Sequence, residues 1–204
     1  EYGMVKSDKA GKYAYFTGTA QWYSFNRYDF QNGTIVDVSP KKAVPNGTCI
    51  GWYLPFAIDP YNSNRLALGY ARVYETQDEA QTWEFDNDPT NLNPIFEPSG
   101  SEDCGGSAIA YGNDGSIWAA VEFKDTLFHK INNSWEKIPT NTGMRIQAIC
   151  PDRKNNGLLY FATSNKVFRY AKILNNSGLT VIGDNTTTLP KDLFIFSMEF
   201  VVDT

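Results

Sequence analysis

Residues 55–70 read PFAIDPYNSNRLALGY: a short apolar stretch, a polar turn that contains Asp59, and a second apolar stretch. Short apolar runs bounded by Gly, Pro, Asn and Asp predict two β-strands joined by a turn. The same order of features recurs in GMVKSDKAGKYAYFTG (3–18), SAIAYGNDGSIWAAV (107–121) and QAICPDRKNNGLLYFAT (147–163). We therefore interpret the chain as one supersecondary unit that is repeated about four times.

Each repeat continues with a third strand that carries an aromatic residue and then with a fourth strand after a turn. The third-strand aromatic residues are Phe25, Tyr74, Phe128 and Phe168, and the fourth strands open at Thr34, Thr82, Ser134 and Gly178. Equivalent first-strand positions are taken as Val5, Ile58, Ile109, Ile149 and Val201, spaced by 53, 51, 40 and 52 residues. A period of about 40–50 residues over four short strands is typical of β-propeller blades.

We predict an all-β fold, a β-propeller of four-stranded antiparallel blades that forms one domain over residues 1–204. The predicted repeats cover about residues 3–40, 54–98, 104–140 and 145–190. Residues 193–204 look like the first strand of a fifth repeat, which would either close the ring or begin a further blade. Because an open propeller leaves strand edges and blade faces uncovered, we favour an arc of a larger ring.

Composition excludes two classes of partner. The 204 residues carry 18 basic and 23 acidic side chains, a formal net charge of −5, and the longest basic cluster is Lys41-Lys42. Proteins that bind nucleic acid normally show clustered Lys and Arg, so we expect no nucleic-acid partner. The longest apolar stretch, residues 193–202, is about half the ~20 residues of a membrane helix and contains Glu199. We therefore expect no membrane span.

Residues 55–84 end in ETQDEAQTWE and carry a more specific motif. The pattern Ser/Thr-x-Asp-x-Gly-x-Thr-Trp falls on Thr76, Asp78, Ala80, Thr82 and Trp83, with Ala80 where the pattern has Gly. This window resembles the repeat of the BNR or Asp-box β-propellers, which include sialidases, xyloglucanase-type glycoside hydrolases and sortilin-like receptors. A more generic similarity, through residues 114–118, is to tectonin-type lectin repeats.

The resemblance implies a structural role for this motif. Asp78 is expected to accept hydrogen bonds from backbone N–H groups of its own turn, and Trp83 to pack between neighbouring strands. In the family these boxes lie at the blade periphery, away from the active site. The motif therefore predicts the fold and not a chemistry.

We assign no catalytic residue. A sialidase needs an arginine triad and a Tyr nucleophile in contexts that this chain lacks, and a xyloglucanase-type site needs two Asp across a cleft. The candidate aspartates by position are Asp59, Asp78, Asp86, Asp88, Asp152 and Asp203. Asp59, Asp152 and Asp203 recur at one repeat position, so we interpret them as turn-capping residues.

We also predict no metal site and no cofactor. His129 is the only histidine and is expected to point outward from a third strand. The hard oxygens of residues 86–88 lack the glycine and distal glutamate of an EF-hand loop. No C-x-x-C spacing occurs among the three cysteines.

Two kinds of residue point to binding and to an oxidising compartment. Aromatic residues near turns could stack on sugar rings or pack between blades; these are Trp22, Trp52, Tyr53 and Tyr61. N-glycosylation acceptor motifs occur at Asn32, Asn46, Asn132, Asn175 and Asn185. Cys49 and Cys104 precede successive first strands and could form a disulfide, which would leave Cys150 buried.

These features predict a secreted, non-catalytic propeller module that binds a carbohydrate or a protein partner. One alternative is a part of a xyloglucanase-type glycoside hydrolase whose active-site residues lie elsewhere. Another is a structural component of a glycosylated extracellular filament. Partners could also include remaining propeller blades or identical subunits.

Overall fold

The computed structural model describes residues 4–17, 24–40, 54–69, 72–85, 106–121, 125–173, 176–184 and 198. Within these ranges every regular element is a β-strand, and all strand pairs within each sheet are antiparallel neighbours in sequence. The predicted all-β fold of four-stranded antiparallel blades is confirmed. Asp203 and residues 86–88 lie outside the described residues.

Four sheets follow one another along the chain. Sheet 1 contains β1 (Val5–Ser7), β2 (Tyr13–Thr17), β3 (Phe25–Asp29) and β4 (Thr34–Asp37). Sheet 2 contains β5 (Phe56–Ile58), β6 (Leu66–Gly69) and β7 (Val73–Thr76), and Glu84 adds a single bridge to Glu75. Sheet 3 contains β8 (Gly106–Tyr111), β9 (Ile117–Val121), β10 (Thr126–Ile131) and β11 (Ser134–Pro139). Sheet 4 contains β12 (Ala148–Pro151), β13 (Leu158–Ala162), β14 (Lys166–Ile173) and β15 (Asn176–Asp184).

The sheets form two compact units, Glu1–Gly106 and Ser107–Thr204. In the first unit, sheets 1 and 2 share a core in which Phe25 contacts Phe56 edge-to-face at 5.0 Å between ring centroids. In the second unit, sheets 3 and 4 share a core in which Trp118 contacts Tyr170 at 6.0 Å. Pairwise stacking of aromatic-rich sheet faces is the packing expected of propeller blades. That all four sheets belong to one domain stays a prediction.

One turn position recurs in all four sheets and fixes their alignment. The backbone N–H of Asp8, Asp59, Gly112 or Asp152 closes the turn between the first and second strands by donating to a carbonyl across it. The alignment makes Phe56, and not Ile58, the counterpart of Val5. The equivalence of Val5 with Ile58 in the sequence analysis was wrong by two residues, because the two turns differ in length after the shared Asp and both strands alternate apolar residues.

Gly112 provides a stability test of this turn. A Cβ added at Gly112 would lie 2.5 Å from Ser116 Oγ and 2.8 Å from Asp114 Oδ1, whereas one added at Gly178 in β15 would meet nothing within 4 Å. We expect Gly112→Ala to lower the free energy of unfolding by about 1–3 kcal/mol through steric strain. Gly178→Ala should leave it unchanged to within about 0.5 kcal/mol. Urea unfolding followed by circular dichroism measures both, and equal effects would contradict the steric contacts expected for a side chain at residue 112.

Candidate functional site

The motif from Thr76 to Trp83 folds into a turn closed by one carboxylate. Asp78 Oδ1 accepts hydrogen bonds from the backbone N–H groups of Gln81 (3.0 Å) and Thr82 (2.9 Å) and from the Thr76 hydroxyl (2.7 Å). Asp78 Oδ2 accepts from the Thr82 hydroxyl at 2.6 Å. Burial alone would raise the pKa of Asp78, but these hydrogen bonds outweigh it and hold that pKa below its ordinary value. The carboxylate is therefore an ionised acceptor committed to the turn.

Ala80 stands in this turn where the resembled pattern has glycine. Its φ is 66°, and the preceding Glu79 has φ 60°, so both residues occupy the left-handed region. The Ala80 N–H donates to Thr76 Oγ1 at 3.1 Å, and its methyl group is buried in the core that sheets 1 and 2 share. The turn thus keeps the conformation that usually calls for glycine while it carries a packed side chain.

Trp83 joins this turn to the neighbouring sheet. Its indole Nε1–H donates to the Val38 carbonyl at 2.6 Å, and its ring packs edge-to-face on Phe25 with centroids 5.7 Å apart. Both partners belong to sheet 1 or the residues directly after it. The indole therefore satisfies its donor and buries its ring in one contact between sheets.

A second set of contacts ties the same turn to sheet 1. Arg27 Nη1 donates to the Glu79 carbonyl at 2.6 Å, and Lys12 Nζ pairs with the Glu79 carboxylate at 3.0 Å. Lys12 Nζ and Arg27 Cζ each lie 4.5 Å from the centroid of the Tyr13 ring, within cation–π distance. The sequence analysis missed Lys12 and Arg27, because nothing in their local sequence signals a contact that spans more than 50 positions along the chain.

The recurring aspartates are turn residues. Asp59 Oδ1 accepts from the N–H groups of Tyr61 (2.9 Å) and Asn62 (3.3 Å), and Asp152 Oδ1 accepts from those of Lys154 (2.7 Å) and Asn155 (2.9 Å). This is the Asx-turn geometry that the turn-capping interpretation requires. Asp59 Oδ2 also pairs with Arg65 Nη1 at 2.9 Å.

Asp125 closes a loop that the sequence analysis did not identify. Its carboxylate accepts from the hydroxyl groups of Thr140 and Thr142 and from the Gly143 N–H, and its own carbonyl accepts from the Thr140 N–H. Burial opposes ionisation, but these donors outweigh it and hold the pKa of Asp125 below its ordinary value. The carboxylate fixes the loop after β11 to the start of β10.

His129 is buried, and the expectation that it points outward was wrong. Its side chain is 2 % exposed. Its cross-strand partner is Trp118, and the imidazole stacks on that indole with centroids 3.6 Å apart. Nδ1 lies 2.9 Å from Glu136 Oε1, and Lys172 Nζ of sheet 4 lies 2.5 Å from the same oxygen. The His129 side chain therefore lies on the face of sheet 3 that packs against sheet 4. The alternation of residues along the strand does not by itself determine which face is buried.

Burial lowers the pKa of His129 below its ordinary value of 6.5, and this outweighs the hydrogen bond and negative charge of Glu136, which raise it. Lys172 lowers the pKa further, and Asp114 raises it. His129 Nε2 is buried without a hydrogen-bond partner. At neutral pH the ring is therefore uncharged, and the geometry is consistent with Nδ1–H donating to Glu136.

Of the four aromatic residues that could stack on sugar rings, only Tyr61 lies in the described ranges. Tyr61 lies in the turn between β5 and β6 and is 63 % exposed. That turn touches the Asp78 turn, because the Glu79 N–H donates to the Asn64 carbonyl at 3.0 Å. Trp22, Trp52 and Tyr53 lie outside the described residues. In sequence, Trp22 lies between β2 and β3, and Trp52 and Tyr53 precede β5. β2 ends, and β3 and β5 begin, at the end of their sheets opposite to the turns between first and second strands.

Two acceptor motifs lie in exposed turns between third and fourth strands. Asn32 donates from Nδ2 to Asp29 Oδ2 at 2.7 Å, whereas Asn132 sits in the left-handed region in the two-residue turn between β10 and β11. Asn46, Asn175, Asn185, Cys49 and Cys104 lie outside the described residues. Cys150 is half-buried in β12.

The described ranges contain no group of three or more His, Cys, Asp or Glu side chains arranged to hold a metal ion. These ranges also contain no helix with the length and apolar character to cross a membrane.

Comparison with solved structures supports the β-propeller-like fold. The chain superimposes on the extracellular domain of a hybrid two-component system of B. thetaiotaomicron with a TM-score of 0.57 and 14 % identity, covering 89 % of this chain and 22 % of that one. It superimposes on virginiamycin B lyase of Staphylococcus aureus with a TM-score of 0.56 and 18 % identity, covering 87 % and 54 %. A functionally unknown protein of Desulfotomaculum acetoxidans gives 0.55 and 14 %, covering 93 % and 58 %.

These identities indicate shared fold and nothing about shared activity. The chain spans between about a fifth and three fifths of the length of these proteins. No protein-family model matches the sequence, and no curated protein matches it.

Removal of the Asp78 carboxylate tests its role in the turn. Asp78→Ala removes the side-chain acceptor of two backbone N–H groups and two hydroxyl groups, and of these the Gln81 N–H keeps the Asp78 carbonyl, so we expect the free energy of unfolding to fall by about 2–3 kcal/mol. The matched control is Glu79→Gln, which removes only the exposed ion pair with Lys12 and should cost less than about 1 kcal/mol. Urea unfolding at pH 7 measures both variants. A smaller loss for Asp78→Ala than for the control would contradict the assigned role.

The buried imidazole predicts a loss of stability in mild acid. Because the folded protein holds the pKa of His129 below that of the unfolded chain, folding stability is fully present above pH 6.5 and falls as the pH drops below it. The control is His129→Asn, which places an amide nitrogen near the position of Nδ1 and does not titrate. The difference in unfolding free energy between the two proteins, measured from pH 7.5 to 5.5, should change only through this one histidine. A difference that is constant with pH would overturn the prediction.

Proposed function

We propose that this chain is a non-catalytic module of an extracellular Asp-box β-propeller and that it binds carbohydrate. The observation that carries the Asp-box part of the proposal is the hydrogen-bond set of Asp78, and the carbohydrate part rests on the aromatic residues Trp22, Trp52 and Tyr53. That set connects every polar position of the motif, and Trp83 continues it into the adjacent sheet. A fortuitous match to an eight-residue pattern has no reason to be satisfied atom by atom.

The state of the described aspartates favours binding over hydrolysis. A glycoside hydrolase of the inverting type needs one carboxyl group kept protonated by a raised pKa and a second that activates water. Asp78 and Asp125 have lowered pKa values, and Asp59 and Asp152 are occupied by the N–H groups of their own turns. Each of these four carboxylates is used as a structural acceptor.

Two observations support an extracellular location. One structural neighbour is itself an extracellular domain, and Asn32 and Asn132 offer acceptor motifs on exposed turns. Asn132 is exposed in the two-residue turn of the β10–β11 hairpin, a surface position of the kind that accepts a glycan.

The strand order of sheets 1 and 2 supports one end of these sheets for the proposed ligand site. The turns that contain Asp59 and Asp78 lie at one end of sheet 2, and their polar groups are spent on turn closure. At the opposite end of these sheets β2 ends and β3 and β5 begin, and Trp22, Trp52 and Tyr53 are close in sequence to these strand ends. Because sugar rings present apolar C–H faces that aromatic rings cover, we assign the carbohydrate to that opposite end.

A comparison of aromatic variants tests this assignment. The protein would be screened on an array of plant, animal and bacterial oligosaccharides that includes xyloglucan and β-glucan fragments, and the best binder would then be titrated by calorimetry. We expect Trp22→Ala and Trp52→Ala each to weaken binding about tenfold, the loss of one stacked ring. Tyr61→Ala, an equally aromatic change at the other end, should leave affinity unchanged.

Three results would count against the proposal. Failure to bind any oligosaccharide would favour a protein ligand. Loss of binding in Tyr61→Ala alone would contradict the assigned end, because Tyr61 lies in the turn between β5 and β6 at the other end of sheet 2. Release of reducing ends from xyloglucan or β-glucan by the purified protein would favour the glycoside hydrolase alternative.

A further inference from the structure

One face of sheet 1 carries exposed apolar side chains. Cross-strand pairing places Val5 opposite Phe16 and Tyr28 opposite Ile35 on this face. Val5 is 71 % exposed and Ile35 is 64 % exposed. The Phe30 ring, also exposed, packs on Tyr28 with centroids 5.0 Å apart. We call the surface formed by Val5, Phe16, Tyr28 and Ile35 the open face.

The same face is buried in sheets 2 and 4. The pair Val5–Phe16 corresponds to Phe56–Leu68 in sheet 2 and to Ile149–Phe161 in sheet 4, because each pair lies at the same distance before the shared turn. All four counterparts are buried in a core with the preceding sheet of the chain. The open face therefore shares an apolar pair with the blade-to-blade interfaces, and Asn26 and Asp37 continue the Val5–Phe16 row on the same face.

Sheet 4 carries the surface that would fit it. In sheet 1, the cross-strand pair Tyr15–Arg27 lies on the face that packs against sheet 2, and Arg27 donates to a backbone carbonyl of the turn between the third and fourth strands there. In sheet 4, the pair Tyr160–Arg169 occupies the equivalent cross-strand position. Tyr160 is half-buried and Arg169 is exposed. Sheet 4 thus repeats the Tyr–Arg pair with which sheet 1 contacts the next blade.

We infer that a second copy of this chain docks the Tyr160–Arg169 face of its sheet 4 on the open face of sheet 1. The contact is head-to-tail, since two different surfaces meet, and Arg169 would donate to a carbonyl of the turn that follows β3, as Arg27 does in sheet 2.

The inference depends on the fold and is independent of carbohydrate binding. Light scattering after size-exclusion chromatography, and sedimentation velocity from about 1 to 200 μM, would give the mass of the 204-residue protein. We expect the mass to rise with concentration from the 22.9 kDa of one chain toward twice that value or more.

Two adjacent residues provide the matched variants. Ile35→Lys places a charge on the open face, whereas Val36→Lys places one on the opposite face of the same strand, where Val36 pairs with Arg27 and is 46 % exposed. Ile35→Lys and Arg169→Glu should each weaken association at least about tenfold, and Val36→Lys should not. Circular dichroism would verify that each variant is folded.

Several outcomes would overturn the inference. One is a mass of one chain at every concentration, and another is an equal effect of the two lysine variants. Full association of Arg169→Glu would exclude sheet 4 as the partner surface.

Discussion

The structure depends on one constraint: a short four-stranded sheet with apolar side chains on both faces has to be covered on both. Sheet 1 buries Tyr15 and Phe25 against sheet 2, and sheet 3 buries Trp118 against sheet 4. A single sheet of this size cannot bury enough apolar surface to offset the entropy of ordering its strands. Stability therefore resides in the contacts between sheets, and the polar groups at those contacts must be satisfied within them.

The turn aspartates follow from that constraint. The strands are three to nine residues long and are joined by tight turns. Each turn contains backbone N–H groups that find no carbonyl acceptor within a strand. Asp8, Asp59, Asp78 and Asp152 accept from these groups with one carboxylate each. Asp8, Asp59 and Asp152 are themselves buried, so the backbone donors offset the desolvation of these carboxylates, while the apolar residues on either side enter the core.

The sequence predicted the repeat and its strands because the period-two alternation and the Asp-containing turns are local signals. It did not predict the exact register between repeats, since Phe56 and Ile58 are both apolar and only the backbone hydrogen bond at Asp59 distinguishes them. It also did not predict the burial of His129, because a polar residue on a strand is expected to face solvent unless a partner such as Glu136 is known. Contacts between sheets, such as Arg27 with Glu79, join residues too far apart in sequence for any local pattern to indicate.

Ala80 shows how such a turn can depart from its usual sequence. An L-residue in the left-handed region is disfavoured by roughly 1–2 kcal/mol, which is why glycine is common at this position. A buried methyl group contributes about 0.8 kcal/mol, and alanine loses about 0.5–1 kcal/mol less backbone entropy than glycine on folding. Because the Ala80 methyl is buried in the core of sheets 1 and 2, these two gains nearly offset the strain. Packing against sheet 1, rather than the local turn, therefore makes alanine acceptable here.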